Sequence, residues 1–135
     1  MSAISARIRL PADEGAAARA IAFAWLFADR ASLPQTASDR LAILVEEWVL
    51  NVVEHGQPSP GGRIGLVLQK RGDGIRLIFS DPGLAFDPTH AAFNGPNEER
   101  GGGVGLALLQ AWTRTLQYRR RGGRNRLLLE LKPEA

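Results

Sequence analysis

Cysteine is absent from the sequence, which excludes a disulfide framework, a thiolate zinc site and a cysteine nucleophile. Long apolar runs are absent as well. The longest, residues 20–28, is far shorter than the roughly 20 residues that a membrane-spanning helix needs. The first residues alternate apolar and polar positions and lack the apolar core of a signal peptide. We therefore expect a soluble, cytoplasmic protein with no membrane partner.

Lysine is scarce, because Lys70 and Lys132 are the only lysines among 17 basic residues. The formal net charge is +3 and the isoelectric point is about 10.2. Six of the arginines fall between Arg114 and Arg126. A basic chain invites a nucleic-acid interpretation, but no recognised nucleic-acid-binding motif is present. We expect these arginines to be solvated or to face an acidic protein, and we expect no direct nucleic-acid partner.

The pattern of apolar residues and turns predicts an α+β fold. The length of 135 residues is typical of one domain, which we predict to span residues 1–135. The predicted elements are strand 4–10, helices 12–31 and 38–54, a hairpin of strands 63–70 and 74–80, helix 106–116, and a hairpin of strands 117–121 and 126–132. Hairpin-linked strands with grouped helices indicate a two-layer α/β sandwich, in which a mixed sheet carries helices on one face.

Both N-terminal helices show sequence signals for their starts. Asp13 and Glu14 are expected in the first turn of the first helix, where the helix dipole favours acidic side chains. Ser38 or Asp39 is expected to cap the second helix. The apolar positions at helical spacing in the first helix are Ile21, Trp25 and Ala28.

The second helix carries a row of polar side chains beside its apolar stripe. Glu47, Asn51 and His55 are spaced four residues apart, so they share one narrow helix face. The oxygen of an Asn side chain is a suitable ligand for Mg²⁺, which takes few protein ligands. A Glu one turn earlier could accept a proton from an attacking hydroxyl. Taken alone, the row is also consistent with an ordinary solvated helix surface.

Asp81 ends a predicted strand, and Gly83 follows two residues later. An ionised carboxylate only accepts hydrogen bonds, whereas the exocyclic amine of adenine only donates them, so the two groups match. Because glycine has no Cβ, a flat ring could approach the backbone at Gly83. Taken alone, an Asp-Pro-Gly segment is more commonly a plain turn.

A glycine-rich segment, residues 101–105, precedes the third predicted helix. Free backbone N–H groups and the positive end of a helix dipole could hold an anion there. The segment is not a P-loop, because no Gly-Lys-Ser/Thr follows, and it is not a dinucleotide fingerprint, because Leu108 occupies the third glycine position. Taken alone, it could also be a flexible hinge.

Together, the order and spacing of these three elements resemble those of the GHKL ATPases, whose fold is also called the Bergerat or histidine kinase-like ATPase fold. The residues that carry the resemblance are Glu47, Asn51 and His55 for the N box, Asp81, Gly83, Phe86 and Asp87 for the first glycine box, and Gly103, Gly105 and Leu106 for the second. The resemblance covers residues 35–130. Within the family, the chain most resembles the small bacterial anti-sigma-factor serine/threonine kinases.

The resemblance implies that the chain binds ATP with Mg²⁺. Glu47 would be the general base, and Asn51 would hold Mg²⁺ and contact the nucleotide. Asp81 would accept the adenine amine, with Gly83 beside the ring. Residues 88–100 would form a lid over the nucleotide. The residues expected to hold the phosphates are Arg100, Gly103, Val104, Gly105 and Leu106.

The resemblance also implies partners. The chain would phosphorylate a STAS-type antagonist protein and bind a sigma factor or similar regulator, and it could form a homodimer. A different possibility is a nucleotide-dependent regulatory switch without kinase activity, which would have the same motifs. The sequence departs from the family pattern at residues 122–126, where the usual Thr of the last motif is missing. We therefore name no site residue in that segment.

Overall fold

Five strands and three helices form the part of the chain that the computed structural model describes, residues 3–56, 58, 60–87 and 103–133. In chain order they are β1 Ala3–Pro11, α1 Ala16–Arg30, α2 Gln35–His55, β2 Arg63–Arg71, β3 Gly74–Asp81, α3 Gly103–Trp112, β4 Thr113–Arg121 and β5 Arg124–Leu131. The predicted elements are all present, with shifted ends.

The strands form one sheet in the order β1-β2-β3-β5-β4, and every neighbouring pair is antiparallel. The prediction of a mixed sheet is therefore wrong for the described strands. After β3, α3 returns the chain so that β4 runs in the same direction as β3. Such a connection would give a parallel pair if the two strands were adjacent. However, β5 lies between them, so no parallel neighbours arise.

The helices cover one face of this sheet, which confirms the predicted α+β, two-layer arrangement. Alternate strand residues point towards the helices, as the period of two in a strand requires. These buried side chains include Leu10, Ile64, Leu66, Leu68, Leu77, Phe79, Leu127 and Leu129. The residues between them lie on the opposite face and are exposed or half-exposed. Within the described ranges, no helix has both the length and the apolar character that crossing a membrane requires.

The buried face of α1 consists mainly of alanine. Its buried residues are Ala16, Ala20, Ala24, Phe27 and Ala28. Trp25, which the spacing predicts on the apolar face, is 58% exposed, as is Leu26. The prediction is wrong because the buried face of α1 is formed mainly by small side chains and not by its largest apolar one. Small alanine side chains instead allow α1 to approach its neighbours closely.

Helix starts also differ from those predicted. Asp13 and Glu14 precede α1, and the Asp13 carboxylate accepts a hydrogen bond from the Gly15 N–H at 2.9 Å. The first turn of α2 follows Pro34, not Ser38 or Asp39. Proline is well tolerated at a helix start, because it fixes φ and the N–H that it lacks has no helical partner there.

The third helix is shifted towards the N-terminus relative to the prediction. It begins at Gly103 and ends at Trp112, so β4 starts at Thr113 instead of at residue 117. The buried Thr113 hydroxyl donates a hydrogen bond to the Leu109 carbonyl oxygen at 2.6 Å. This bond satisfies one of the carbonyl groups left free at a helix end.

Two substitutions on α1 test which of its faces is buried. Phe27 is 1% exposed, so Phe27→Ala should lower the free energy of unfolding by about 3–5 kcal/mol. Trp25→Ala removes a larger side chain from an exposed position and should change the free energy of unfolding by less than about 0.5 kcal/mol. Urea denaturation of both variants measures this difference. Equal losses would contradict the assignment of the alanine face to the core.

Candidate functional site

Asp81 is the last residue of β3, and its side chain is nearly buried, at 2% exposed. Its Oδ1 atom accepts hydrogen bonds from the Gly83 N–H at 2.9 Å and from Asn125 Nδ2 at 3.0 Å. The carboxylate is thus held through one oxygen, and the other can accept a hydrogen bond from a ligand amine.

The loop that follows Asp81 is attached to the C-terminal end of α2. The Leu84 N–H donates to the Gly56 carbonyl oxygen at 2.7 Å. A Cβ at Gly83 would lie 2.9 Å from Asp81 Oδ1 and 3.1 Å from the Gly56 carbonyl oxygen. A larger residue at position 83 would therefore push the loop away from α2, which explains the glycine at this position.

Aromatic rings connect the same loop to the middle of α2. Trp48, the residue after Glu47, packs against Phe79 of β3 with ring centroids 5.8 Å apart and against Phe86 of the loop at 6.1 Å. The Trp48 indole nitrogen is buried and has no hydrogen-bond partner within the described part of the chain. Through this packing, the predicted first glycine box and the N-box helix are in direct contact.

Glu47 lies directly against the first turn of α3. A Cβ built on Gly105 would be 2.5 Å from Glu47 Oε2 and 3.1 Å from Glu47 Cβ. A side chain at position 105 would displace the carboxylate, so glycine fits this close approach. The structure thus brings together a predicted general base and the predicted phosphate-binding turn.

The environment of Glu47 raises the pKa of its carboxyl group above the ordinary value of 4.5. Burial is the largest cause, because it disfavours the charged form. The negative charges of Glu46 and Glu54 on the same helix act in the same direction. A carboxylate with a raised pKa is a stronger base.

The structure describes some of the other predicted site residues and leaves others outside its described ranges. Asn51 lies one turn after Glu47 on α2 and is half-buried. The predicted phosphate-binding residues Gly103, Val104, Gly105 and Leu106 form the first turn of α3. Arg100 and the predicted lid, residues 88–100, lie outside the described residues.

The donor groups around α2 and α3 suit a nucleotide with Mg²⁺. The described residues contain no cluster of three or more His, Cys, Asp or Glu that could hold a metal ion alone. Mg²⁺ usually keeps several waters and binds through one or two protein oxygens together with substrate phosphates. One amide oxygen from Asn51, together with phosphates held at a helix start, would be consistent with that type of site.

Asn125 of β5 belongs to the site, although sequence reasoning missed it. The side chain is 3% exposed. Its Nδ2 atom donates to Asp81 Oδ1 and to the Leu84 carbonyl oxygen at 2.8 Å. Its Oδ1 atom accepts from the Tyr118 hydroxyl and from Arg120 at 3.2 Å. A polar residue in phase with the buried leucines of β5 was the signal that could have revealed it.

A β-bulge in β4 positions the residues that contact Asn125. Thr115 pairs with Leu129, whereas Gln117 pairs with Leu128, so one extra residue lies between them in β4. The insertion reverses which residues of β4 face the helices. As a result, Tyr118 and Arg120 point to the same face as Asn125, and Arg120 also donates to the Gly83 carbonyl oxygen at 2.6 Å.

Replacement of Glu47 should give a pH-dependent change in stability. The folded-state pKa is raised, so the charged form of Glu47 destabilises the fold once the pH rises above about 4.5. Glu47→Gln should therefore increase the free energy of unfolding at pH 7, with the gain disappearing below pH 4.5. Urea denaturation at several pH values measures this change. Glu14→Gln, at an exposed position before α1, is the control and should show no comparable gain.

Loss of the Asn125 side chain should destabilise the protein. Asn125→Ala leaves Asp81 Oδ1, the Leu84 carbonyl and the Tyr118 hydroxyl with fewer partners, so we expect a loss of about 2 kcal/mol. Arg126→Ala, at the exposed neighbouring position, should cost less than about 0.5 kcal/mol. Thermal unfolding of the two variants measures the difference. A neutral Asn125→Ala would contradict the network described above.

Known proteins share the sequence pattern and the fold. Residues 10–131 match the family described as the histidine kinase-like ATPase domain. The serine/threonine-protein kinase BtrW of Bordetella bronchiseptica is 32% identical over 94 residues, which cover 66% of each protein. A solved chain with the RsbU and RsbW domains of a Mycobacterium tuberculosis protein matches with a TM-score of 0.68 and 19% identity, over 96% of this chain.

The chain spans only part of the length of these relatives. The match spans just under two thirds of the Bordetella kinase and 32% of the mycobacterial chain. The family match, in contrast, includes α1, α2, the Asp81 loop and the start of α3, and it leaves out only most of β1. The chain belongs to the family of histidine kinase-like ATPase domains.

Proposed function

We propose that this chain is an ATP-dependent serine/threonine protein kinase of the anti-sigma-factor type. Its protein substrate would be a STAS-type antagonist, and it would also bind a sigma factor or a similar regulator. The observation that carries the proposal is the close contact between Glu47 and Gly105. It puts a carboxylate of raised pKa beside the helix start that is suited to holding phosphates.

ATP binding would involve the residues around Asp81. The Oδ2 atom of Asp81 would accept a hydrogen bond from the adenine amine, and Gly83 would leave room for the ring. Asn125 keeps the carboxylate in position through Oδ1. The N–H groups at the start of α3, in residues 103–106, would bind the phosphates, with Arg100 contributing from the lid.

Phosphoryl transfer requires positioning and charge neutralisation more than covalent chemistry by the protein. Glu47 would remove the proton from the Ser or Thr hydroxyl. The hydroxyl oxygen would form a bond to the γ-phosphorus, while the bond from that phosphorus to the ADP oxygen breaks. Asn51 would hold Mg²⁺, which when bound neutralises the charge on the phosphates.

The broader parts of the proposal have separate support. A single catalytic domain over residues 1–135 agrees with the one sheet that all the described strands form. A relative named as a serine/threonine-protein kinase supports the reaction type. We also propose a cytoplasmic location, a possible homodimer and no direct binding of nucleic acid.

Kinase activity is tested by incubating the protein with radiolabelled ATP, Mg²⁺ and a STAS-type antagonist. Glu47→Gln should reduce transfer about 100-fold or more, because general bases contribute at least that factor, while ATP binding measured by calorimetry is retained. Glu54→Gln makes the same chemical change at an exposed position of α2 and should remain active.

The other outcomes distinguish the alternatives. If mass spectrometry finds no added phosphate on the antagonist while the protein binds ATP, the chain is a nucleotide-dependent regulatory switch without kinase activity. Transfer that persists in Glu47→Gln would show that another group is the base.

A further inference from the structure

The face of the sheet opposite the helices, called the outer sheet face below, is strongly basic. Strand pairing places residues of all five strands on it, including Arg9 of β1, Arg63 of β2, Arg76 of β3, Arg119 of β4 and Arg126 of β5. All of these arginine residues are exposed. The candidate nucleotide site uses the other face, so these arginines lie away from it.

Among the described strands, pairing places a single acidic residue on this face. It is Glu130, which forms ion pairs with Arg76 and Arg114. Towards the other end of β5, Arg121 lies directly opposite Arg124, which also donates hydrogen bonds to Ser80 Oγ and to the Arg63 carbonyl oxygen. Like charges directly across two strands destabilise a sheet. Opposed arginines that lower the stability of the sheet are expected where they serve binding.

The centre of the outer sheet face is apolar and has a depression beside it. Val67, Ile78 and Leu128 are paired in a row across β2, β3 and β5 and are half-buried. Next to this row, the small residues Gly65 and Ser80 pair with each other. They line a depression of about 290 Å³, whose rim includes Arg7, Arg9, Arg124 and Arg126.

We infer that the outer sheet face is a docking surface for an acidic segment of a protein partner, with apolar side chains on the central row and carboxylates at the rim. Protein interfaces typically combine an apolar centre with a polar rim and are enriched in arginine. The charge of the face is complementary to an acidic segment, and binding would relieve the repulsion between the opposed arginines.

Two other occupants are less consistent with the face. A second copy of this chain would bring an equally basic surface against it, with repulsion between the arginines. Single-stranded nucleic acid is usually bound by aromatic side chains that stack on bases. The described strands place no aromatic residue on this face, since Phe79 and Tyr118 point towards the helices.

Peptide binding to the full chain tests the inference. The probe is a fluorescein-labelled peptide of about eight residues with alternating Glu and Leu, long enough to cross the sheet. By fluorescence anisotropy, Arg9→Glu and Arg126→Glu should each weaken binding at least tenfold. Arg30→Glu, an equal charge reversal at the exposed end of α1, should change it less than twofold. ATP affinity and circular dichroism should be unchanged in all three, which separates this test from that of the kinase.

A second variant distinguishes docking from general charge attraction. Leu128→Ser should weaken binding of the Glu-Leu peptide at least threefold and leave that of an all-Glu peptide unchanged. No binding of the Glu-Leu peptide, or equal effects of Arg30→Glu and Arg126→Glu, would overturn the inference. A DNA oligonucleotide that binds more tightly than the peptide, and is lost in Arg126→Glu, would replace the protein partner with nucleic acid.

Discussion

The hydrogen bond between Asn125 and Asp81 connects the elements on which the candidate site depends. It joins the end of β3 to the start of β5. Asn125 also holds the Leu84 carbonyl of the following loop, and Leu84 in turn donates to Gly56 at the end of α2. A small group of buried polar atoms therefore positions the sheet, the loop and the helix relative to one another. Leaving such atoms without a hydrogen-bond partner would cost stability.

The second constraint is steric and concerns the two helices. Contact between Glu47 and Gly105 sets how closely α2 and α3 approach. Burial of the Glu47 carboxyl group raises its pKa. Gly105 thus allows the two helices to approach closely at one end of the candidate site. The site and the core are continuous here, since Trp48 packs on Phe79 next to Glu47.

The two faces of the sheet have different chemistry. The inner face buries aliphatic side chains against the helices and carries the Asp81 network at one end. The outer face combines exposed arginines with a short apolar row. Because side chains alternate along a strand, adjacent residues such as Asn125 and Arg126 serve opposite faces. One sheet can therefore support a nucleotide site and a separate protein-binding surface.

Much of this organisation was predictable from the sequence. Local patterns determined the order of strands and helices, and the spacing of Glu47 and Asn51 determined that they share one helix face. The spacing of Asp81 and Gly83 likewise predicted a carboxylate beside a tight turn at a strand end. The tertiary structure decided what local patterns cannot encode. It placed β5 between β3 and β4, buried the alanines of α1 instead of Trp25, and brought Asn125 to Asp81. These outcomes depend on strand pairing, a β-bulge and packing between residues distant in the chain. The interactions between such residues contribute free energy only once the fold has brought the residues into contact.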